Sequence, residues 1–277
     1  MKLATLRDGS RDGQLVVVAR DLTHAHHAQA IAGTLRAALD DWNFLGPQLE
    51  DLYTTLNHGK ARHAFAFDAR QCLAPLPRAH RWAEAAAGDD ADTAPTLRHA
   101  AGDGFLAPAQ ELAGGEAGLR PRIGLVAVTG DVAAGTEADA ALDSIRLLGL
   151  ACGWGDAGTA FGPVFATPDE LGAAWRRGRI ELALALRVNA RAVAEAPAPA
   201  AVRWPFGELI AALAHRAALG AGSLVGSGEL PGLPESAALL RAGESLELEM
   251  RADDGHSLFG TLAQRLAGPV HDEAGPA

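Results

Sequence analysis

Cysteine is scarce: Cys72 and Cys152 are all the chain has. Two isolated thiols build neither a disulfide framework nor a zinc-type pair, and they suit a reducing compartment. Long apolar runs are missing too. None reaches the roughly 18 residues that cross a bilayer as a helix, and the opening MKLATLRDGSRDG has no apolar core of the secretory-signal kind. Lysine is nearly absent, so arginine supplies almost all the positive charge. With the abundant alanine, this reads as a coding bias. Acidic residues outnumber the cations and leave a formal net charge of -10. Such a surface repels phosphate and anionic lipid, so neither nucleic acid nor membrane is an expected partner. The densest basic stretch, AWRRGR at Ala174 to Arg179, is flanked by Glu170 and Glu181 and reads as a solvated turn. A cytoplasmic location is expected.

What remains is ordinary for a globular chain. The 277 residues are 48% hydrophobic and 21% charged, enough to bury a core in one large domain or two modest ones. Two apolar stretches, Lys2 to Leu6 and Gln14 to Ala19, flank RDGSRDG, whose two Asp-Gly steps predict a β-hairpin. Ile31, Leu35, Ala38 and Leu39 recur at helical spacing and predict a helix over 27–42; Leu49, Leu52, Tyr53 and Leu56 predict another over 47–57. APLPRAHRW at 74–82 reads as a linker because of its two prolines, and 85–118 as an irregular loop. IGLVAVT at 123–129 predicts a strand, and Ala141, Ile145 and Leu148 a helix over 137–150. Further strands are expected at 163–166, 180–188, 223–226, 246–251 (alternating, hence half-buried) and 257–260. A helix over 206–219 ending at Gly220 is expected, with a frayed tail from Gly268. Many short strands with few helices predict an α+β fold, divided into a small N-terminal α/β domain (1–73) and a larger C-terminal one (74–277).

Several strings, taken together and in order, resemble the fumarylacetoacetate hydrolase family, in its bacterial branch with a small N-terminal domain. They are MKLATLRDGSRDGQLVVV, APLPRAHRW, VAVTGDV at 126–132, TAFGPVFATPDELGAAWRRGRI at 159–180, FGELIA at 206–211, AGSLVGSG at 221–228 and LELEMRADDGHSLFG near the end. The resemblance covers most of the chain. It implies a C-terminal mixed β-roll carrying the active site, a homodimer or a heteromer with an active paralogue, and Mg²⁺- or Ca²⁺-dependent chemistry on small β-dicarbonyl acids, the metal holding the keto-enolate.

The positions that carry the family's chemistry read differently here. The family's first two ligands are an acidic-x-acidic pair on the strand before TGDV, spaced to face the same way. Counting back from Thr129 places Arg122 and Gly124 there. The third carboxylate position falls on Gly153, beside Cys152. The segment that carries the family's lysine is mostly missing, and Asp156 stands at the lysine position. The lid histidine falls near Ala91, in an acidic stretch without histidine, and the GSGT turn reads GSGE at Ser227 and Glu229.

Other polar groups read as structural. His24, His26 and His27 cap or flank a helix, Asp89, Asp90 and Asp92 form a solvated loop, and Cys152 is a buried thiol. Three functions compete. The first is a pseudoenzyme without a cofactor that binds a small organic acid or stabilises a partner. The second is a metal-free enzyme on a small keto or dicarbonyl acid, with Arg122, Ser227 and Glu229 as substrate contacts and Arg122 as the carboxylate anchor. The third is a Mg²⁺-dependent hydrolase whose ligands are Glu116, Asp131 and Asp156.

Overall fold

A computed structural model describes residues 1–86, 94–113, 117–197, 202–230 and 239–268. In chain order its elements are β1 (Lys2–Leu6), β2 (Gln14–Val18), β3 (His24–His27), α1 (Leu35–Asp40), α2 (Trp42–Asn57), β4 (Phe65–Ala66), β5 (Arg81–Ala85), β6 (Leu97–Ala100), β7 (Glu111–Leu112), β8 (Arg122–Thr129), α3 (Ala138–Leu142) and β9 (Ile145–Gly153). There follow β10 (Thr159–Phe161), β11 (Phe165–Ala166), β12 (Trp175–Arg176), β13 (Arg179–Ile180), β14 (Ala183–Val188), β15 (Arg191–Pro197), α4 (Phe206–Ala214), β16 (Ser223–Gly226), β17 (Ser245–Met250) and β18 (Leu262–Leu266). This is the expected α+β fold, dominated by sheet. No described helix is long and apolar enough to cross a membrane.

The larger sheet runs β4-β3-β2-β1-β11-β9-β8-β16-β5-β6, with β10 also on β9; a smaller one runs β15-β14-β17-β18-β7. Hydrogen bonding crosses residue 73, because β1 pairs with β11 (Lys2 opposite Ala166) and thereby joins the N-terminal strands to the later ones. Alternation along β8 separates two cores. Ile123, Leu125 and Ala127 face the smaller sheet and α4, whereas Val126 and Val128 face α1 and α2 with Leu3, Val17 and Leu224. Burial on both faces makes the central strands almost continuously apolar.

That double burial explains the main correction. The helix expected over 137–150 is helical only in α3; the rest is β9, in register with β8 (Leu125 opposite Leu150, Ala127 opposite Leu148). Leu148 and Leu150 pack in one core and Leu147 and Ala151 in the other, so the apolar run has no single period to read. Other elements also differ from expectation. The helix expected over 27–42 begins only at Leu35, because Thr34 caps it by accepting from the Ala37 N–H at 3.1 Å. Replacing Thr34 with alanine is expected to cost about 1 kcal/mol of stability, measured by chemical denaturation. The helix expected to run to Leu219 stops at Ala214, since Leu219 pairs with Val132 instead. The strand expected at 257–260 is an isolated bridge, Ser257 to Arg251, and the true strand is β18. The loop 85–118 contains β6 and β7, and the alternation at 246–251 is broken by Glu249, which is buried in an ion pair with Arg251 at 2.8 Å. The tail beyond Gly268, expected to fray, lies outside the described residues.

The three histidines lie on β3 rather than beside a helix. His26 bonds the His27 and Arg62 carbonyls, His24 meets the Thr23 hydroxyl, and His27 stacks on Phe65 with ring centroids 4.7 Å apart.

Candidate functional site

β8 presents Arg122 and Gly124 on one face, as strand alternation requires. Its register with β9 sets Arg122 opposite Gly153 and Gly124 opposite Ala151. The Arg122 guanidinium lies over Gly153: a Cβ there would meet its Nη2 at 3.1 Å and Nε at 3.3 Å. From there Nη2 reaches Glu84 Oε1 at 3.2 Å. Two of the positions singled out in the sequence are therefore covered by one side chain.

Gly124 is closed from the other side. A Cβ there would lie 2.4 Å from the Gly228 carbonyl oxygen and 3.2 Å from Ser227 Oγ. The chain after β16 is stitched along β8 to hold this contact. Ser227 N–H donates to the Leu125 carbonyl at 2.8 Å, Ser227 Oγ accepts from Leu125 N–H at 2.9 Å, and Leu230 N–H donates to the Ile123 carbonyl at 2.8 Å.

Glu84 comes from β5, in register with Arg98 of β6, and is ion-paired to both Arg98 and Arg122. Its side chain is 16% exposed and that of Arg122 29%, so both charges sit where solvent only partly screens them. The pair lines a cleft of about 290 Å³ together with Trp82, Arg98, Phe105 and Asp156. Trp82 and Phe105 meet edge to face with centroids 6.4 Å apart, and Phe161 contacts both at 5.6 and 4.9 Å, which ties the wall to the core. Asp156 sits in an exposed turn at the rim.

The other sequence candidates lie elsewhere. Ser227 is consumed by backbone bonds, Glu229 pairs with Arg120 at 3.1 Å, and neither lines the cleft. Asp131 lies past the far end of β8 and accepts from the Ala221 N–H at 2.9 Å, so it does not meet Asp156. Ala91, Asp89, Asp90, Asp92 and Glu116 are outside the described residues. Cys152 points into the core on the opposite face from Arg122, is fully buried, and burial pushes its thiol pKa far up despite the nearby Arg122. Sequence reasoning missed Glu84 and Arg98. The one available signal was RWAEA, whose alternation puts Trp82 and Glu84 on the same face.

A family model described as "Fumarylacetoacetate (FAA) hydrolase C-terminal" matches residues 123–267. The chain belongs to the fumarylacetoacetate hydrolase family. A second model, "Fumarylacetoacetase N-terminal domain 2", matches residues 1–78. No curated protein sequence matches at a significant level. Among solved structures, the chain is similar to maleylpyruvate hydrolase from Sphingobium sp. SYK-6 in complex with manganese(II) and pyruvate, at TM-score 0.73 and 15% identity, covering 97% of this chain and 99% of that one. It is also similar to fumarylacetoacetate hydrolase from Exiguobacterium antarcticum (TM-score 0.64, 15% identity, 97% and 99% coverage) and to 5-carboxymethyl-2-hydroxymuconate delta-isomerase from Mycobacterium smegmatis (TM-score 0.61, 14% identity, 97% and 99% coverage). At such identities the shared property is the fold.

Mg²⁺ and Ca²⁺ take about six or more oxygen ligands. Of the carboxylates lining the cleft, Glu84 is already held between two guanidiniums and Asp103 and Asp156 are exposed, and among the described residues no group of three or more His, Cys, Asp or Glu could hold a metal. The described residues of this cleft do not fit such an ion.

Proposed function

We propose that this member of the fumarylacetoacetate hydrolase family does not carry out metal-dependent carbon–carbon hydrolysis of β-diketo acids, and that its cleft binds a small organic acid or the chain stabilises a partner. The observation behind this reading is the Arg122–Glu84 pair at 3.2 Å lying over Gly153, where the resemblance implies carboxylates. A guanidinium at that place repels a cation and attracts an anion. Assembly as a homodimer, or as a heteromer with an active paralogue, belongs to the same proposal.

A second reading rests on Arg122 lining the cleft: a metal-free enzyme that anchors a keto or dicarbonyl acid on this arginine. Both readings predict that titration of Mg²⁺ or Mn²⁺ into the protein with oxalate present gives no saturable heat in calorimetry. Saturable binding near one equivalent overturns both and restores the hydrolase, with assays on acylpyruvates as the next step. If no metal binds, turnover of a keto acid in the presence of a chelator separates the second reading from the first.

A further inference from the structure

Arg122 is only half used. Glu84 engages its Nη2, while its Nε is buried without a hydrogen-bond partner among the described residues. The Nε–Nη2 edge of arginine fits both oxygens of one carboxylate. The same protein shows the complete arrangement elsewhere: Arg20 donates from Nε and Nη2 to the two oxygens of Glu170, at 3.2 Å each. On that edge of Arg122 the Nε donor is left over, and a second guanidinium, Arg98, converges on the same Glu84 carboxylate.

We infer that Arg98 and Arg122 form a two-arginine site for a small monocarboxylate, and that Glu84 is its internal occupant, which an incoming acid must displace. This rests on the reading that the cleft binds small acids without a metal. The ligand class follows from the walls. Trp82 and Phe105 offer an apolar aromatic side for a short hydrocarbon arm. The exposed Asp103 and Asp156 at the mouth disfavour a second negative charge at the ligand's outer end. A cleft of about 290 Å³ has room for a molecule of benzoate size. Because Glu84 is tethered by β5, it competes at a high effective concentration and keeps the affinity of free acids low.

The test is calorimetric titration of benzoate in the presence of EDTA. Glu84→Gln is expected to bind at least tenfold more tightly than wild type, and adding Arg122→Met to that variant is expected to abolish the gain. Glu84→Ala, which removes the carboxylate without leaving an amide on the arginines, is read in the same way and covers the case in which the glutamine variant fails to fold. Binding by folded Glu84→Gln or Glu84→Ala no tighter than wild type overturns the inference, as does a gain that survives Arg122→Met. EDTA keeps this readout apart from the metal titration: saturable Mg²⁺ binding without chelator would sink the metal-free reading, whereas the benzoate series judges Glu84.

Discussion

Aspartate in place of Gly124 destabilises the protein by about 3 kcal/mol or more and confers no Mg²⁺ binding, alone or together with Arg122→Glu. The Cβ of any side chain at this position would stand 2.4 Å from the Gly228 carbonyl oxygen, closer than real Cβ contacts come. The obstruction is backbone, held to β8 by the Ser227 and Leu230 hydrogen bonds, so no rotamer change relieves it. Relief requires peeling residues 227–230 from the strand, which breaks those bonds in a buried setting. The new carboxylate would also be buried without an assigned donor. Urea denaturation measures the loss, and calorimetry with Mg²⁺ measures the binding. A double variant that stays as stable as wild type and binds one Mg²⁺ would overturn this expectation.

The second large effect lies far from the cleft, at Lys2. This side chain is fully buried, and its ammonium donates to the carbonyls of Arg20 at 2.6 Å and Ser257 at 2.5 Å. Its hydrogen-bond partners are thus two neutral carbonyls rather than a carboxylate. Burial therefore lowers its pKa from 10.5 to about 8, with Glu170 opposing in part. In the unfolded chain Lys2 keeps its proton up to its ordinary value. Between about 8 and 10.5 the unfolded state thus binds more protons than the folded one, so this residue makes stability rise with pH across that window. The rise amounts to at most about 3 kcal/mol. Below the window both states are protonated and the burial penalty is present in full; above it the penalty is gone. Wild type minus Lys2→Met, followed by chemical denaturation from pH 7.5 to 10.5, isolates the effect, since other titrating groups cancel in the difference. A flat difference would mean that the ammonium is as well solvated by its two carbonyls as by water.

Legibility followed the range of the interactions involved. The hairpin of β1 and β2 was readable because its cause is local: Asp-Gly steps between two apolar stretches. β8 and β16 were readable as short apolar runs bounded by glycine. β9 was not, because burial on both faces erased the period that would have told strand from helix. At the cleft, Arg122, Gly124 and Gly153 follow from counting along strings that resemble the family, and the register of β8 on β9 sets the first against the third. Ser227 and Glu229 were named in the same way, but their side chains are spent on Leu125 and Arg120.

Composition and local pattern suffice for the α+β class and for the net negative charge. Each of these depends on residues near one another in the chain or on simple sums over it. The partner of Arg122 was beyond such reasoning. Glu84 follows a proline-rich stretch that reads as linker, and it reaches the cleft only because β5 pairs in parallel with β16, which in turn pairs with β8. Parallel pairing joins segments far apart in sequence and leaves no turn signature to betray it. The closure of Gly124 by the Gly228 carbonyl is of the same kind: a contact made by backbone, which no side-chain pattern can announce.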